Sequence, residues 1–448
     1  LCVISCTFKP GTIDPSFFLI HTSNYFMIYN NVSELVQACY DYLKSHESIG
    51  ERYGKPFHFY YPANTKYGHH QWLWDSGWHM IAWSYREPAN AIEDLRTLLQ
   101  FQQPNGFIPE IIFWGEEHLS WLLQHLFGYS RPEFTDLTQM PMLPWSLRAI
   151  WNATHDVELL KEFVPKLVAY FDWWAAERDP DGDGLVSIIH PWESGIDASP
   201  LYDPAHGIKP KNQGKFWKHY PKFIILQYKF RRAKWNRAKI LQHEWFNFED
   251  VGVCAVYAAG WGVLGSLAAE FDDDLATKCK QQAKFEQAII SKCWDEQLGR
   301  FVSFYHKKGK EHVATAETIQ ALFPLLLESL PANILDKLIS NLKDPEKFWL
   351  PHPVPSVAKS EPTFNPLRSR LLWRGTTWPV DQWFVMEGLI AHGHEDIAKE
   401  LLDKWVNTYL EHGVWEYYNP LTGEGLGEEG IGMSCCIVDM LNRLGKLE

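Results

Sequence analysis

The chain has 448 residues, with 42 Lys plus Arg against 55 Asp plus Glu and a formal net charge of −13, so it carries no global basic field to attract nucleic acid or an anionic membrane. Hydrophobic residues make up 46%, enough for a large core, and the 22 Trp, 19 Tyr and 26 Phe imply a ring-lined cavity or an unusually aromatic interior. Eight cysteines show neither zinc spacing nor a dense disulfide framework, so buried thiols are expected.

Residues 1–30 have no sustained periodicity and read as an arm laid over the body. "LCVISC" is too short for a signal peptide's apolar region, and no apolar run approaches the roughly 20 residues of a membrane span. The cytoplasm is the expected compartment, although an upstream targeting segment is left open because residue 1 is not Met. From residue 31 to 448 we expect one domain. Apolar spacings of three and four predict helices over 33–43, 90–101, 143–153, 157–177, 251–271, 274–294, 316–330, 379–393, 394–410 and 432–444. "GLVSII" (184–189) and "RFVSFYH" (300–306) are the strand signals, read as hairpin arms between helices. Roughly a dozen helices without a fixed repeat, led by Trp/Gly/Pro-rich motifs, favour an all-α closed toroid with its loops at one mouth. The Pro-rich stretch 350–366 reads as a long loop of the active site.

Several motifs carry candidate chemistry. "QWLWDSGWHMIAW" (71–83) places Asp75 at a helix start, where it is an N-cap or, with Trp74, a sugar contact. Gln139 stands before a proline-led helix. "RDPDGDGLV" (178–186) resembles the start of a calcium loop, but its twelfth position is His190 rather than an acid, so a tight Asp/Gly turn is expected. "HPWESGIDASP" (190–200) offers Glu193 and Asp197, of which one is expected to be catalytic. "LLWRGTTWPVDQW" (371–383) sets Trp373 and Trp378 around Arg374. "VWEYYNPLTGEGLG" (414–427) puts Glu416 among rings, where an apolar surround raises a carboxyl's proton affinity. Two such carboxylates suit glycosidic hydrolysis, one protonating the leaving oxygen and the other activating water or attacking carbon. His69, His70, His79 and His190 fall in no metal-binding spacing, and the chain has no GxSxG, Walker A or GxGxxG motif.

In order, "WLWDSGWH", "LTQMP", "HPWESGIDASP", "VPSV", "LWRGTTWP" and "WEYYNPLTGEGLG" resemble the glycoside hydrolase 63-like enzymes, particularly the compact glucosylglycerate and mannosylglycerate hydrolases. The resemblance runs from about residue 60 to the C-terminus. It implies an (α/α)6 barrel and an inverting mechanism, with Asp197 as general acid and Glu416 as general base. It also implies sugar contacts from Tyr67, Trp72, Trp74, Asp75, Gln139, Trp192, Gly195, Trp373 and Trp378. Two departures stand out. Leu372 replaces the Tyr of a Tyr-Trp-Arg-Gly motif, and the segment expected to hold a carboxylate-binding Arg is lysine-rich (209–222), with Lys215 and Tyr220 as approximate counterparts.

The reading is therefore an inverting α-glycosidase acting on a small α-glucoside or α-mannoside, with a small-molecule carbohydrate as partner and no metal or organic cofactor. Glycosyl-glycerates are the first candidates, and neutral α-gluco-oligosaccharides the alternative. A sugar epimerase or isomerase, working through paired histidines, and an inactive sugar-binding scaffold are the rivals from other classes.

Overall fold

The computed structural model describes residues 27–64, 67–115, 128–366 and 371–446. Its helices are α1 (Val32–Ser45), α2 (Leu73–Trp83), α3 (Pro88–Leu99), α4 (Leu143–Thr154), α5 (Val157–Arg178), α6 (Phe216–Arg232), α7 (Arg237–Gln242), α8 (Val251–Ala268), α9 (Asp273–Lys280), α10 (Lys284–Cys293), α11 (Ala332–Leu342), α12 (Pro379–Ala391), α13 (Glu395–His412) and α14 (Ile437–Arg443). Side-chain caps start several of them by satisfying orphan amides. Asn31 accepts the Glu34 amide, Asp156 that of Glu158, and Asp250 those of Gly252 and Val253.

Two kinds of segment alternate. α1 buries Leu35, Cys39, Tyr40 and Leu43, and α11 buries Ile334, Leu338, Asn341 and Leu342, one stripe each. By contrast α2 is buried along its whole length, as are residues 379–389 of α12 and nearly all of α8. These buried segments touch in a closed sequence: α2 packs on α4, α4 on α8, α8 on a 3-10 segment (Ile319–Leu326), that segment on α12, α12 on a second 3-10 segment (Gly432–Cys436), and this last on α2. The striped helices lie outside them, α3 against α2, α5 against α8, α11 against Ile319–Leu326, and α13 against α12. Phe384 of α12 meets rings from three of the other inner segments, with centroids 6.1 Å from Trp74, 5.3 Å from Trp78, 6.1 Å from Trp145 and 5.1 Å from Phe323. Much of the aromatic content is accounted for by this packed centre.

The helices expected over 316–330 and 274–294 differ in form. Ile319–Leu326, which contains Pro324, winds as 3-10 rather than α. A 3-10 turn, Gln281–Ala283, separates α9 from α10. α8 is the one described helix with the length and apolarity of a membrane span, yet 83% of it is buried inside the fold, as suits a core helix.

The strands are short: β1 (Glu47–Arg52), β2 (Lys55–Tyr60), β3 (Gln71–Trp72), β4 (Ile111–Ile112), β5 (Asn247–Glu249), β6 (Trp294–Asp295), β7 (Arg300–Phe301), β8 (Ser303–Lys307), β9 (Lys310–Ala314), β10 (Trp415–Tyr418) and β11 (Gly425–Glu429). Residues 184–189 contribute only a bridge from Ile188 to Phe248 rather than a hairpin arm, whereas 300–306 divides between β7 and β8. The β1–β2 hairpin, not anticipated, turns at Tyr53 (φ 57) and Gly54 (φ 68), the paired left-handed residues of a type I′ turn. The turn at Asp179–Asp183 is built from local bonds: Asp179 accepts the amides of Gly182 and Gly184, and Lys292 places its ammonium among Asp183, Glu249 and Glu311. Of the expected arm, residues 1–26 lie outside the described part, and Ile28 and Tyr29 bond to the Leu410 carbonyl.

Because Phe384 ties α12 to three other inner segments, Phe384→Ala is expected to cost about 3–5 kcal/mol of unfolding free energy, read from the denaturant midpoint at unchanged slope.

Candidate active site

Glu416 lies in the β10–β11 hairpin at an irregularity. Trp415 opposes Glu429 but Tyr417 opposes Leu426, so the register slips across Glu416. Such a bulge re-aims a side chain. The carboxylate is 1% exposed; Oε1 accepts the Tyr67 phenol at 2.5 Å and Oε2 accepts the Glu428 amide at 3.1 Å. Gly427 (φ 82) permits this approach, since a Cβ there would stand 2.4 Å from Oε2. Burial pushes the Tyr67 phenol well above its ordinary 10, and Glu416, Asp75 and Asp197 add to the effect in that order. One phenol thus feels three of the carboxylates that the sequence singled out.

Asp197 follows a 3-10 turn (Pro191–Ser194) and Gly195, and it is half-buried. Gly195 (φ 71) lies against Trp74, its would-be Cβ 3.4 Å from that ring, so the loop carrying Asp197 is pressed onto the start of α2. Glu193 has another task. It is wholly buried, and Arg178 bonds both of its oxygens, joined by the amides of Thr138 (3.3 Å) and Ile189 (2.8 Å). Arg178 in turn lies over the Trp173 and Trp174 rings. No oxygen of Glu193 is left for a substrate.

The aromatic wall comes from 371–378. Trp373 stacks on Trp378 at 3.6 Å, and Trp378 on Tyr417 at 4.5 Å, beside Glu416. Trp373 adopts φ 65, a left-handed conformation that costs a non-glycine residue roughly 1–3 kcal/mol and must be imposed by its surroundings. The next residue imposes it. Arg374 is buried and bonds Asp203 through both nitrogens, at 2.8 and 2.7 Å, with His219 Nδ1 at 3.3 Å from Nη2. Ser356, in the Pro-rich stretch, accepts the Gly375 amide at 3.0 Å. That stretch therefore supports the wall.

Asp75 is the third residue of α2 rather than its N-cap, a position taken by Trp72 without a side-chain bond. It is nearly buried in a first turn whose dipole favours an anion. Gln139 Oε1 accepts the Trp74 amide at 2.9 Å, and Trp72 stands edge-on to Tyr67 at 5.6 Å. Trp192 is half-buried against His190 and Phe223 of α6. Lys215 and Tyr220 are placed differently: both are exposed at the start of α6, and Tyr220 stacks on Phe216. The buried member of that segment is His219. The four histidines noted from sequence have separate surroundings, with His69 stacked on Tyr61, His70 accepting the Gly115 amide, and His79 and His190 buried, where desolvation pushes each down to about 3.

Behind α2, Asp94 Oδ1 accepts Gln71 at 2.7 Å and Ser76 at 2.8 Å, while Oδ2 has no side-chain partner among the described residues. Burial pushes this carboxyl up to about 7, partly opposed by those donors. Sequence reasoning missed Asp94, the Arg374–Asp203 and Arg178–Glu193 pairs, Tyr417 and Glu110. Arg374, Glu193 and Tyr417 each lay inside a motif that the sequence singles out, whereas Asp94, Asp203 and Glu110 lay in none.

Residues 68–433 match the family model for the mannosylglycerate hydrolase MGH1-like glycoside hydrolase domain. The chain is 28% identical over 415 residues to a mannosylglycerate hydrolase of Thermus thermophilus, covering 85% of this chain and 95% of that one. It is 24% identical over 401 residues to a glucosylglycerate hydrolase of Mycolicibacterium hassiacum, covering 80% and 88%. Among solved structures, a GH63 mannosylglycerate hydrolase from Thermus thermophilus in complex with Tris and D-glycerate superposes with a TM-score of 0.79 at 26% identity, over 91% of this chain and 100% of that one.

Two measurements check the supports. Glu193→Gln strands the Arg178 charge and is expected to cost about 3–5 kcal/mol of stability, seen in chemical denaturation. For Asp94, the native state keeps its proton above the pH at which the unfolded chain loses it. Stability therefore falls as pH rises between about 3.8 and 7. Asp94→Asn should flatten that slope and raise the melting temperature at pH 7 and above.

Proposed function

This chain belongs to the mannosylglycerate hydrolase MGH1-like glycoside hydrolase family, and from that premise we propose that it hydrolyses a compact α-hexoside with inversion, Asp197 serving as general acid and Glu416 as general base. The observation that carries this reading is the buried Glu416 bonded to Tyr67, with Tyr417, Trp378 and Trp373 stacked beside it and the Asp197 loop pressed onto the start of α2 through Gly195 and Trp74. The closed sequence of six inner segments with helices outside it supports the reading of an (α/α)6 barrel.

In the proposed reaction Asp197 protonates the glycosidic oxygen as the bond to the anomeric carbon breaks. The electron pair leaves with that oxygen. Glu416 takes a proton from water as the water oxygen bonds the anomeric carbon from the opposite face. Both Glu416 oxygens accept hydrogen bonds, an arrangement suited to an ionised base. In this reading Asp75 and Gln139 would meet the sugar hydroxyls, and an aromatic face its C–H surface.

Glycosyl-glycerates are the leading substrates, on the strength of the relatives' activities. An Arg fork would hold a glycerate carboxylate with more direction than a lysine. The described lysines here, Lys211, Lys215 and Lys218, are exposed and lend only diffuse positive potential, so neutral α-glucosides compete.

Asp197→Asn and Glu416→Gln should each lower turnover roughly 100- to 10,000-fold with folding intact. Tyr67→Phe should lower it about ten-fold or more through the lost bond to Glu416. Full activity in either carboxyl variant overturns the assignment. Proton NMR should show the β-hexose as the first product from an α-hexoside, whereas an initial α-product indicates retention. A comparison of kcat/KM for mannosylglycerate, glucosylglycerate and matched neutral glucosides decides the aglycone.

A further inference from the structure

Charge is unevenly spread along this chain. Residues 204–243 contain eleven Lys and Arg, all between 209 and 239, and no Asp or Glu, which leaves 31 basic against 55 acidic residues elsewhere. None of the eleven forms an ion pair among the described residues, whereas Lys292, Arg300, Lys347 and Arg443 each hold at least one carboxylate. The molecule as a whole stays anionic, so the attraction this stretch exerts is local and short-ranged.

Within it, α6 carries three stripes. His219, Phe223, Leu226 and Phe230, spaced four, three and four, face inward and are buried. On the opposite side the helical period aligns Trp217, Ile225 and Tyr228, which are 74%, 46% and 41% exposed. Lys218, Lys222 and Lys229 run along one flank of that line, spaced four and seven, and Arg232 ends it. A row of large apolar side chains turned to water gains nothing for a fold; it marks a contact surface.

The chemistry of the row narrows the partner. Two copies meeting through α6 would set lysine against lysine, which repels. Single-stranded nucleic acid is held in a groove whose rings stack on bases, but this row is a convex ridge, and Ile225 has no ring to offer. An anionic bilayer fits both stripes. Apolar side chains sink about 5–10 Å into the boundary between headgroups and acyl chains, and lysines beside them stretch their stems to the headgroup phosphates. The acidic remainder of the protein is repelled by the same surface, which leaves α6 as the face turned toward it.

We propose that the outer face of α6 docks the protein on anionic phospholipid membranes, with Trp217, Ile225 and Tyr228 entering the interface and the flanking lysines and Arg232 meeting the headgroups. The inner face of the same helix reaches Arg374 through His219, at 3.3 Å. Docking therefore brings the aromatic wall to within one helix diameter, about 10 Å, of the docked face. It is independent of the roles of Asp197 and Glu416.

The test is flotation of the full chain with vesicles of phosphatidylcholine containing about one-third phosphatidylserine, beside vesicles of phosphatidylcholine alone. The anionic vesicles should carry the protein and the neutral ones should not, with binding weakened at about 0.5 M salt. Lys222→Gln and Arg232→Gln should each weaken binding roughly five-fold, and Trp217→Ser combined with Ile225→Ser roughly ten-fold or more, in variants of unchanged melting temperature. No preference for the anionic vesicles overturns the proposal. So does binding that the charge variants weaken but the Trp217 and Ile225 variant leaves unchanged, since the apolar row then enters nothing. Tighter binding of single-stranded RNA, lost in the same charge variants, makes nucleic acid the partner instead. A concentration-dependent dimer in sedimentation that Trp217→Ser dissolves assigns the row to a second copy and likewise overturns docking on lipid.

Discussion

The buried bond between Arg374 and Asp203 governs how this site is assembled. It joins two loops from distant parts of the chain, one leading from Asp197 and the other carrying Trp373 and Trp378. A pair sunk this deep adds little net stability, because the desolvation of both charges offsets their attraction. Its value lies in position. A two-pronged guanidinium contact fixes both distance and plane, and it holds the adjacent Trp373 in a backbone conformation that residue would not choose. Beyond Asp203 the tie continues: Tyr202 donates to Asp250 at 2.6 Å, and Asp250 caps the core helix α8. The acid loop is thereby anchored to the most deeply buried part of the molecule.

A second organising constraint is the crowding of negative charge in aromatic surroundings. Glu193, Glu110, Asp94 and Asp75 stand close to or behind the two carboxylates assigned to the chemistry, each handled differently. Arg178 neutralises Glu193, the first turn of α2 receives Asp75, and burial pushes Glu110 and Asp94 toward their protonated forms. Rings displace water from this region and so strengthen every charge in it. Glu416 is met by the Tyr67 hydroxyl.

What the sequence made legible follows from where information is stored. Asp197, Glu416 and the tryptophans sit in glycine- and proline-marked motifs at the starts of elements, so local chemistry exposes them. Most helices were readable by apolar spacing, α8 and α12 among them, and the start of α2 by its Trp/Gly motif, whereas α11, striped though it is, was not anticipated. The segment expected over 316–330 formed, but as a 3-10 helix. Lys215 and Tyr220 lie exposed at the start of α6, while His219 between them is buried and reaches Arg374, a difference set by tertiary packing that no local pattern displays. Glu110 lay hidden in "FIPEII", where apolar flanks announce a buried strand and a lone acid has no partner in sequence. Arg178 heads the Asp/Gly turn motif, and nothing local reveals that Glu193, 15 positions on, receives it.

The closed order of the inner segments has a consequence for how the protein is made. Gly432–Cys436 completes the circuit by packing on α2, and Glu416 is delivered by the hairpin just before it. A ribosome has therefore released α2 and the acid loop long before the surfaces that cover them exist. Until the last stretch emerges, Trp74, Trp78 and their neighbours face solvent as an open arc of apolar rings. Such an intermediate is aggregation-prone and slow to close, since its final contacts join residues hundreds of positions apart. The nascent chain can have no complete site before the circuit is shut.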